Sequence, residues 1–325
     1  MTKAIVQYGP GGPDVLRWEE HPLPSTLEPG TVLIRHTAIG VNFIDVYYRQ
    51  GRYPVASYPT VIGAEGVGVV EAVGSAVTGV KAGDRVGYAM RAPGSYAEKR
   101  MVPAAATVRV PNDIPDDVAA VLMLKGMTAE MLLHRAYAVK PGDAVLIHAA
   151  AGGMGLLLCQ WAKALGAHVI GTTSTPEKAA LAKAHGCDEA ILYGQDDFVV
   201  RTRALTGGNG VQAVFDGVGR DTFQKSLDAL GLLGTLVTYG AASGPVEPFD
   251  LTKIAARSIT LIRPTLFHYT QDRERLEQMA AHTFAAWRTG KLRPDVRRTL
   301  PLKDAAEAHR ALESRETMGA LVLIP

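Results

Sequence analysis

From Asp143 onward, short apolar runs alternate with longer amphipathic stretches in a regular rhythm. VLIHAAA (145–151) leads into the helical pattern MGLLLCQWAKALG (154–166), and HVIGTTS (168–174) into PEKAALAKAHG (176–186). EAILY (189–193) leads into DDFVVRTRALTGG (196–208), and VQAVFDGVG (211–219) into RDTFQKSLDALG (220–231). GTLVTYG (234–240) and SITLIRP (258–264) supply two further strands. Period-two or continuous apolar runs alternating with period-3.6 segments predict right-handed βαβ units and an open, doubly wound parallel sheet.

The preceding part of the chain has a different rhythm. TVLIRHTA (31–38), GVGVVEAV (66–73), GVKAGDRVG (79–87) and SYAEKRMV (95–102) are short β patterns punctuated by Gly and Pro, which predicts a small β-barrel or sandwich. The pattern changes near Pro115, and Val118–Ala138 reads as a helix interrupted at Lys125-Gly126. The tail carries two amphipathic helices, Arg273–Thr289 and Leu302–Ser314, and a last strand, Ala320–Ile324. These do not continue the alternation and are expected to return to the first domain. The expected division is therefore 1–122 completed by 265–325, with 123–264 as an inserted parallel-sheet domain. The fold class expected is α/β.

Composition narrows the function classes. The chain has 325 residues, 47% of them hydrophobic, with 34 Lys plus Arg against 32 Asp plus Glu. So even a balance gives no general attraction to nucleic acid or to an anionic membrane. The only cysteines, Cys159 and Cys187, cannot build a disulfide framework. MTKAIVQYGPGG contains no apolar signal core, and no stretch reaches transmembrane length. The expectation is a cytoplasmic protein.

The chemistry centres on Ala149-Ala150-Ala151-Gly152-Gly153-Met154-Gly155, an A-x-x-G-x-x-G at a predicted strand-to-helix turn. Glycines there let the backbone turn sharply and let a pyrophosphate reach the free amides of the helix N-terminus. Dinucleotide enzymes that use NAD place an acid at the end of the second strand, to hold the ribose 2′-hydroxyl. Here that position reads Gly171-Thr172-Thr173-Ser174-Thr175-Pro176-Glu177-Lys178, hydroxyls followed by a lysine, which suits a 2′-phosphate. Lys178 reads alternatively as a solvated helix lysine.

A zinc site needs converging Cys, His or carboxylate ligands, and the sequence has neither a C-x-x-C nor an H-x-x-x-H pair. His148, in the strand before the glycine turn, reads as a satisfied core histidine. No metal is expected, so carbonyl polarisation falls to hydrogen-bond donors. One donor-rich segment stands out, VNFIDVYYRQGRYP (41–54), in which Asn42, Tyr47, Arg49 and Tyr53 are candidates to line an acceptor pocket. Spacing alone fits a polar loop capping the barrel equally well.

Across almost its whole length the chain resembles the medium-chain dehydrogenase/reductase superfamily, in its zinc-free quinone oxidoreductase branch, which includes zeta-crystallin. The resemblance rests on GVNFIDVYYRQGRYP (40–54), VIGAEGVGVVEAVG (61–74), GDRVGY (83–88), HAAAGGMGLLLCQWAKALGA (148–167), GVGRDTFQKSLDAL (217–230) and ESRETMGALVLIP (313–325). Zinc-containing relatives carry a ligand Cys after a glycine and a Gly-His-Glu segment; here the matching stretches are Gly40-Val41-Asn42 and Gly63-Ala64-Glu65.

The resemblance implies a GroES-like catalytic domain and a Rossmann domain with NADPH in the cleft between them. Cofactor residues carried over by motif are Asn42 and Tyr47 on the nicotinamide side, and Lys125, Gly126, Met127 and Thr128 beneath it. Gly152, Gly153, Met154 and Gly155 would hold the pyrophosphate, Ser174 and Lys178 the 2′-phosphate, and Tyr193 would lie near the adenosine. Tyr239, Gly240, Ser243, Arg263 and Met318 would close the site. The expected activity is NADPH-dependent reduction of a small-molecule quinone. An alkenal or enone reductase, or a non-enzymatic NADPH-binding or RNA-binding protein, are the rival readings, and near-neutral charge speaks against nucleic acid. SITLIRP, as an uncovered edge strand, suggests a homodimer built through the parallel sheet, as the resembled family assembles.

Overall fold

A computed structural model describes residues 1–314 and 317–325 of the chain. The chain opens on two antiparallel strands, β1 (Thr2–Gln7) and β2 (Arg17–His21). Strand β3 (Thr31–Gly40) runs into helix α1 (Phe43–Arg49), followed by β4 (Thr60–Val61), β5 (Glu65–Val73), β6 (Arg85–Ala89), β7 (Lys99–Pro103) and β8 (Thr107–Arg109). Along β3 the residues Val32, Ile34, His36 and Ala38 are buried in alternation with more exposed neighbours. One face of that strand therefore packs on a core, with Val32 and Ile34 against Val70, Val86, Tyr88 and Val102. The expected strand at 95–102 begins later, at Lys99, while Ala97 bridges to Ala4.

Helix α2 (Asp116–Val121) continues through a wide π-type turn at 122–126 into α3 (Met127–Met131), with a second wide turn at 132–136. The break expected at Lys125-Gly126 is not a break, because Gly126 keeps helical angles (φ −63°, ψ −51°). A widened turn admits an extra residue without ending the helix, and Lys125 lies in it.

The alternation then unfolds as β9 (Ala144–Ile147), α4 (Gly153–Ala164), β10 (His168–Thr173), α5 (Pro176–Ala184), β11 (Glu189–Leu192), α6 (Phe198–Leu205), β12 (Val211–Asp216), α7 (Phe223–Ala229), β13 (Leu230–Thr238), α8 (Thr252–Ala255) and β14 (Thr260–Ile262). The strands are parallel, in the order β11-β10-β9-β12-β13-β14. Val145, Leu146, Ile147, Val214 and Phe215 on the two central strands are fully buried, which is why they read as unbroken apolar runs. The order reverses between β9 and β12, the position where open sheets of this kind form a crevice at their carboxyl ends. Strand β14 is shorter than its apolar pattern, since Ser258 takes a left-handed φ of 50° just before it.

The tail supplies α9 (Leu266–Tyr269), α10 (Arg273–Arg288), β15 (Val296–Pro301), α11 (Ala305–Glu313) and β16 (Ala320–Ile324). Strand β16 inserts between β15 and β3, giving the sheet order β15-β16-β3-β5-β6-β8, with β7 also on β3. The chain forms two compact units: Met1–Lys125 with Thr270–Ala281 and Val296–Pro325, and Gly126–Tyr269 with His282–Asp295. These bounds differ from the expected 1–122, 123–264 and 265–325 for local reasons. Lys125 is held in the first unit by Val41 O and Asn42 Oδ1, at 2.8 and 2.6 Å. His282 belongs to the second unit, its ring packed at a tilt against His134 with centroids 4.6 Å apart and edge-on against Trp161 at 5.2 Å. Among the described residues no helix is long and apolar enough to cross a membrane.

Candidate functional site

In the second unit the chain leaves β9, passes His148, and turns at Ala149 with a left-handed φ of 50°. Gly152 caps α4, and Gly152 N donates to Ala149 O at 2.9 Å, closing the turn. The glycines differ in what they do. A Cβ on Gly155 would lie 2.2 Å from Ala149 O and 2.7 Å from Ala150 C, so only glycine lets α4 approach the turn this closely. A Cβ on Gly152 would meet only Ala149 O, at 3.3 Å. The first-turn amides of α4 project from a helix end whose partial charge is positive, a ready anion site.

The neighbouring strand ends add further groups. Beyond β10, Ser174 is exposed and Thr175 caps α5, accepting from Lys178 N at 3.3 Å. Tyr193, after β11, is half-exposed and its N–H donates to Thr173 O. After β13, the ring of Tyr239 packs over Gly217, where a Cβ would come within 2.8 Å of it. Arg263, after β14, donates to Thr238 Oγ1 at 3.1 Å. All of these lie at the carboxyl ends of parallel strands. Beneath them, His148 is buried and fully bonded, with Nδ1 3.0 Å from Thr172 Oγ1 and Nε2 2.9 Å from Ser226 Oγ. The core-histidine reading of His148 holds.

In the first unit, Glu65 is the centre of a buried polar cluster. Its carboxylate accepts from Leu124 N at 2.6 Å and Asn42 Nδ2 at 2.7 Å, and Lys125 Nζ lies 3.6 Å away. Gly40 makes room for that carboxylate, since a Cβ there would fall 1.9 Å from Glu65 Oε1. Burial pushes the Glu65 carboxyl up and the Lys125 ammonium down; their mutual attraction opposes both shifts, and the Asn42 hydrogen bond opposes that of Glu65.

A second buried carboxylate, Asp45, sits on α1. Its Oδ2 accepts from Asn42 N at 2.8 Å and from Tyr96 OH at 3.1 Å, whereas Oδ1 has no partner among the described residues. Burial, with Glu65 nearby, raises its pKa from 3.8 to about 7, against the pull of the Asn42 amide and Lys125. The Tyr96 hydroxyl also meets His309 Nε2 at 3.1 Å, and His309 Nδ1 faces Arg49 NH1 at 3.0 Å. An arginine can only donate, so Nδ1 accepts and the Nε2 hydrogen points to Tyr96. Burial and the Arg49 charge hold the imidazole down at about 3.

Comparison with known proteins follows this layout. Residues 28–112 match the family described as "Alcohol dehydrogenase GroES-like domain", and residues 153–284 that described as "Zinc-binding dehydrogenase". The chain is 46% identical to a 2-haloacrylate reductase of Burkholderia sp. over 332 aligned positions, covering 100% of this chain and 99% of that protein. It is 44% identical to a quinone oxidoreductase of Pseudomonas aeruginosa, with both chains covered in full (100%). The crystal structure of Escherichia coli quinone oxidoreductase complexed with NADPH superposes with a TM-score of 0.96 at 42% identity, covering 99% of this chain and 100% of that one. The chain belongs to the quinone oxidoreductase branch of the medium-chain dehydrogenase/reductase superfamily.

Within this branch assignment, the expected site residues divide. Gly152, Gly153, Met154, Gly155, Ser174, Lys178, Tyr193, Tyr239, Gly240 and Arg263 gather at one end of the parallel sheet. Tyr47 is buried and packs edge-on against Tyr53, ring centroids 5.4 Å apart, while Tyr53 remains the more exposed of the two. Met318 is half-buried in the first unit, and Thr128 in the second.

One expectation needs correcting, and three further expected residues are bonded within the fold. Arg49 is not an acceptor-pocket donor: it is 1% exposed, and its guanidinium binds Gly11 O, His309 and both carboxylate oxygens of Glu313, at 2.7 and 2.8 Å. Asn42 donates to Glu65 and Gly40 O and accepts from Lys125, whose ammonium also donates to Val41 O. The Ser243 hydroxyl ties its own loop, donating to Val218 O at 2.8 Å and accepting from Asp221 N at 3.0 Å. Sequence reasoning passed over Glu65 as a centre, and over Asp45, Tyr96 and His309. Only Asp45 carried a local signal, an acid three residues after Asn42, the spacing of a helix N-terminal capping pair.

The raised pKa of Asp45 makes a stability prediction. A carboxyl whose folded pKa exceeds its ordinary value stabilises the fold fully below about 3.8 and loses that contribution as pH rises to about 7. In this window the folded chain holds about one proton more than the unfolded one, a slope of about 1.4 kcal/mol per pH unit. Asp45→Asn should flatten the fall in urea-unfolding free energy between pH 4.5 and 7 by about that slope. Parallel curves for the two proteins would mean that Asp45 is already ionised in the fold.

Proposed function

We propose that the chain is an NADPH-dependent quinone reductase that works without a metal ion. The observation that carries this reading is the full-length likeness to quinone oxidoreductases, one of them solved with NADPH, combined with a glycine turn at the carboxyl edge of the sheet. The pyrophosphate belongs on the first turn of α4, the 2′-phosphate on Ser174 and Lys178, the adenosine side near Tyr193, and the remainder near Tyr239, Gly240 and Arg263. In the first unit Tyr47 and Tyr53 are the acceptor-side groups and Met318 a cofactor contact; in the second unit Thr128 is a further cofactor contact. Asn42, on the acceptor and nicotinamide side, and Lys125, on the nicotinamide side, are held by Glu65.

The bound dinucleotide would supply a hydride equivalent. A quinone takes up electrons readily, so its oxygens need only hydrogen-bond donors and protons from water. The first unit's donor set does not suit zinc, because Ala64 offers no ligand atom and the polar groups of Asn42 and Glu65 are bound to one another. Among the described residues no cluster of His, Cys, Asp and Glu could hold a metal. Two unpaired, buried cysteines suit a reducing cytoplasm.

A second reading is reduction of an activated alkene, favoured by the 46% identity to a 2-haloacrylate reductase. NADPH oxidation against a panel of quinones, enones and haloacrylates separates the two. The expected result is fastest turnover on a quinone, undiminished by dialysis against a strong chelator. Turnover confined to haloacrylates or enones would favour the second reading, no turnover at all would favour a binding role, and activity lost to the chelator and restored by zinc would refute metal independence.

Lys178→Ala should weaken NADPH by about 1.5–3 kcal/mol, the value of a charged hydrogen bond, and leave NADH little changed. Equal losses in titrations with both would remove the phosphate role. For assembly, β14 closes one edge of the parallel sheet, and we read it as the seat of a two-fold dimer. Leu261→Pro, by removing a ladder donor, should split that dimer in light scattering, and a monomer for the unaltered protein would end the proposal.

A further inference from the structure

A chain of buried hydrogen bonds crosses under the strand ends of the second unit. Thr172 on β10, His148 just after β9, Ser226 on α7 and Asp216 closing β12 are all buried. Thr172 Oγ1 lies 3.0 Å from His148 Nδ1, His148 Nε2 lies 2.9 Å from Ser226 Oγ, and Ser226 Oγ lies 3.0 Å from Asp216 Oδ2.

The direction of this chain is fixed by counting hydrogens. Ser226 has one hydroxyl hydrogen and faces two groups that can only accept, Asp216 Oδ2 and Thr222 O at 2.9 Å. That hydrogen goes to them, so His148 Nε2 must bring its own. Burial holds the His148 imidazole below its ordinary pKa, so the ring is neutral and carries a single N–H. Nδ1 is then the lone pair and accepts from Thr172. Asp216, the far end, also accepts from Val218 N at 2.8 Å, Gly219 N at 3.0 Å and Thr222 Oγ1 at 2.8 Å.

The strand ends joined in this way carry three loops. After β9 comes the glycine turn; after β10 come Ser174 and Lys178; after β12 comes Gly217, on which Tyr239 packs. Thr173, the last residue of β10, contributes no side-chain anchor, since its buried Oγ1 has no partner among the described residues. The side-chain hold on this strand end comes from Thr172.

We propose that His148 is a positioning residue for the dinucleotide, fixing the end of β10, and with it Ser174 and Lys178, against the glycine turn and the β12 loop. Its consequence is selectivity for a 2′-phosphorylated cofactor. This rests on the dinucleotide reading given above.

Thr172→Val and Ser226→Ala leave His148 in place and each remove one end of the chain, and His148→Phe removes both. Kd values for NADPH and NADH, quinone turnover and thermal midpoint are measured for each variant. The NADPH:NADH preference should fall about fivefold in Thr172→Val, the worth of about one hydrogen bond, and further in His148→Phe. Turnover at saturating NADPH should stay within about twofold, because the chemical step is untouched. His148→Gln, which again offers one donor and one acceptor, should recover part of the preference. An unchanged NADPH:NADH ratio in Thr172→Val, with or without a lower thermal midpoint, would overturn the proposal, as would equal losses for the two dinucleotides. An unaltered protein that binds neither dinucleotide would overturn the cofactor reading itself, and this inference with it.

Discussion

A carboxylate taken out of water must be surrounded by donors, and each unit is organised around one that is. Asp216 in the second unit gathers two backbone amides and the hydroxyls of Thr222 and Ser226. Glu65 in the first gathers Leu124 N, Asn42 and Lys125. Leaving such a group unpaired would cost several kcal/mol, so the donors are not free to turn elsewhere. That constraint fixes the loop after β12, the start of α1 and the wide turn containing Lys125. It also explains why residues that look available in the sequence are not available in the fold.

The parallel sheet and the glycine turn were legible because both are local. Central strands buried on two faces show as apolar runs, and the close approach of α4 demands glycine at residue 155 whatever the rest of the chain does. The polar clusters were not legible, since their members lie far apart in sequence: Asn42 with Lys125, Tyr96 with His309, Arg49 with Glu313. Arg49 is instructive. Its neighbours Tyr47 and Tyr53 suggested a shared pocket, but its partner arrives on α11, 264 residues later. A donor-rich segment shows which groups exist, and tertiary structure decides which are already taken.

Ser174, Tyr193 and Tyr53 are exposed or half-exposed, whereas His148, Glu65 and Asn42 are buried and bonded. Rigid donors held by buried partners lose little freedom when a ligand arrives, which is how a site gains affinity without gaining contacts.

The placement of β16 beside β3 bears on the order in which the protein acquires its shape during synthesis. Strand β3 is made early, yet its neighbour across the Gly40 end is drawn from residues 320–324, and Arg49 waits for Glu313. The second unit, drawn largely from one continuous stretch between them, has nearly all its strand partners at hand well before that. All six strands of the inserted unit are therefore made before the chain reaches β16, while in the outer unit β3 has β5 and β7 to pair with and only its Ile39-Gly40 end waits for the tail.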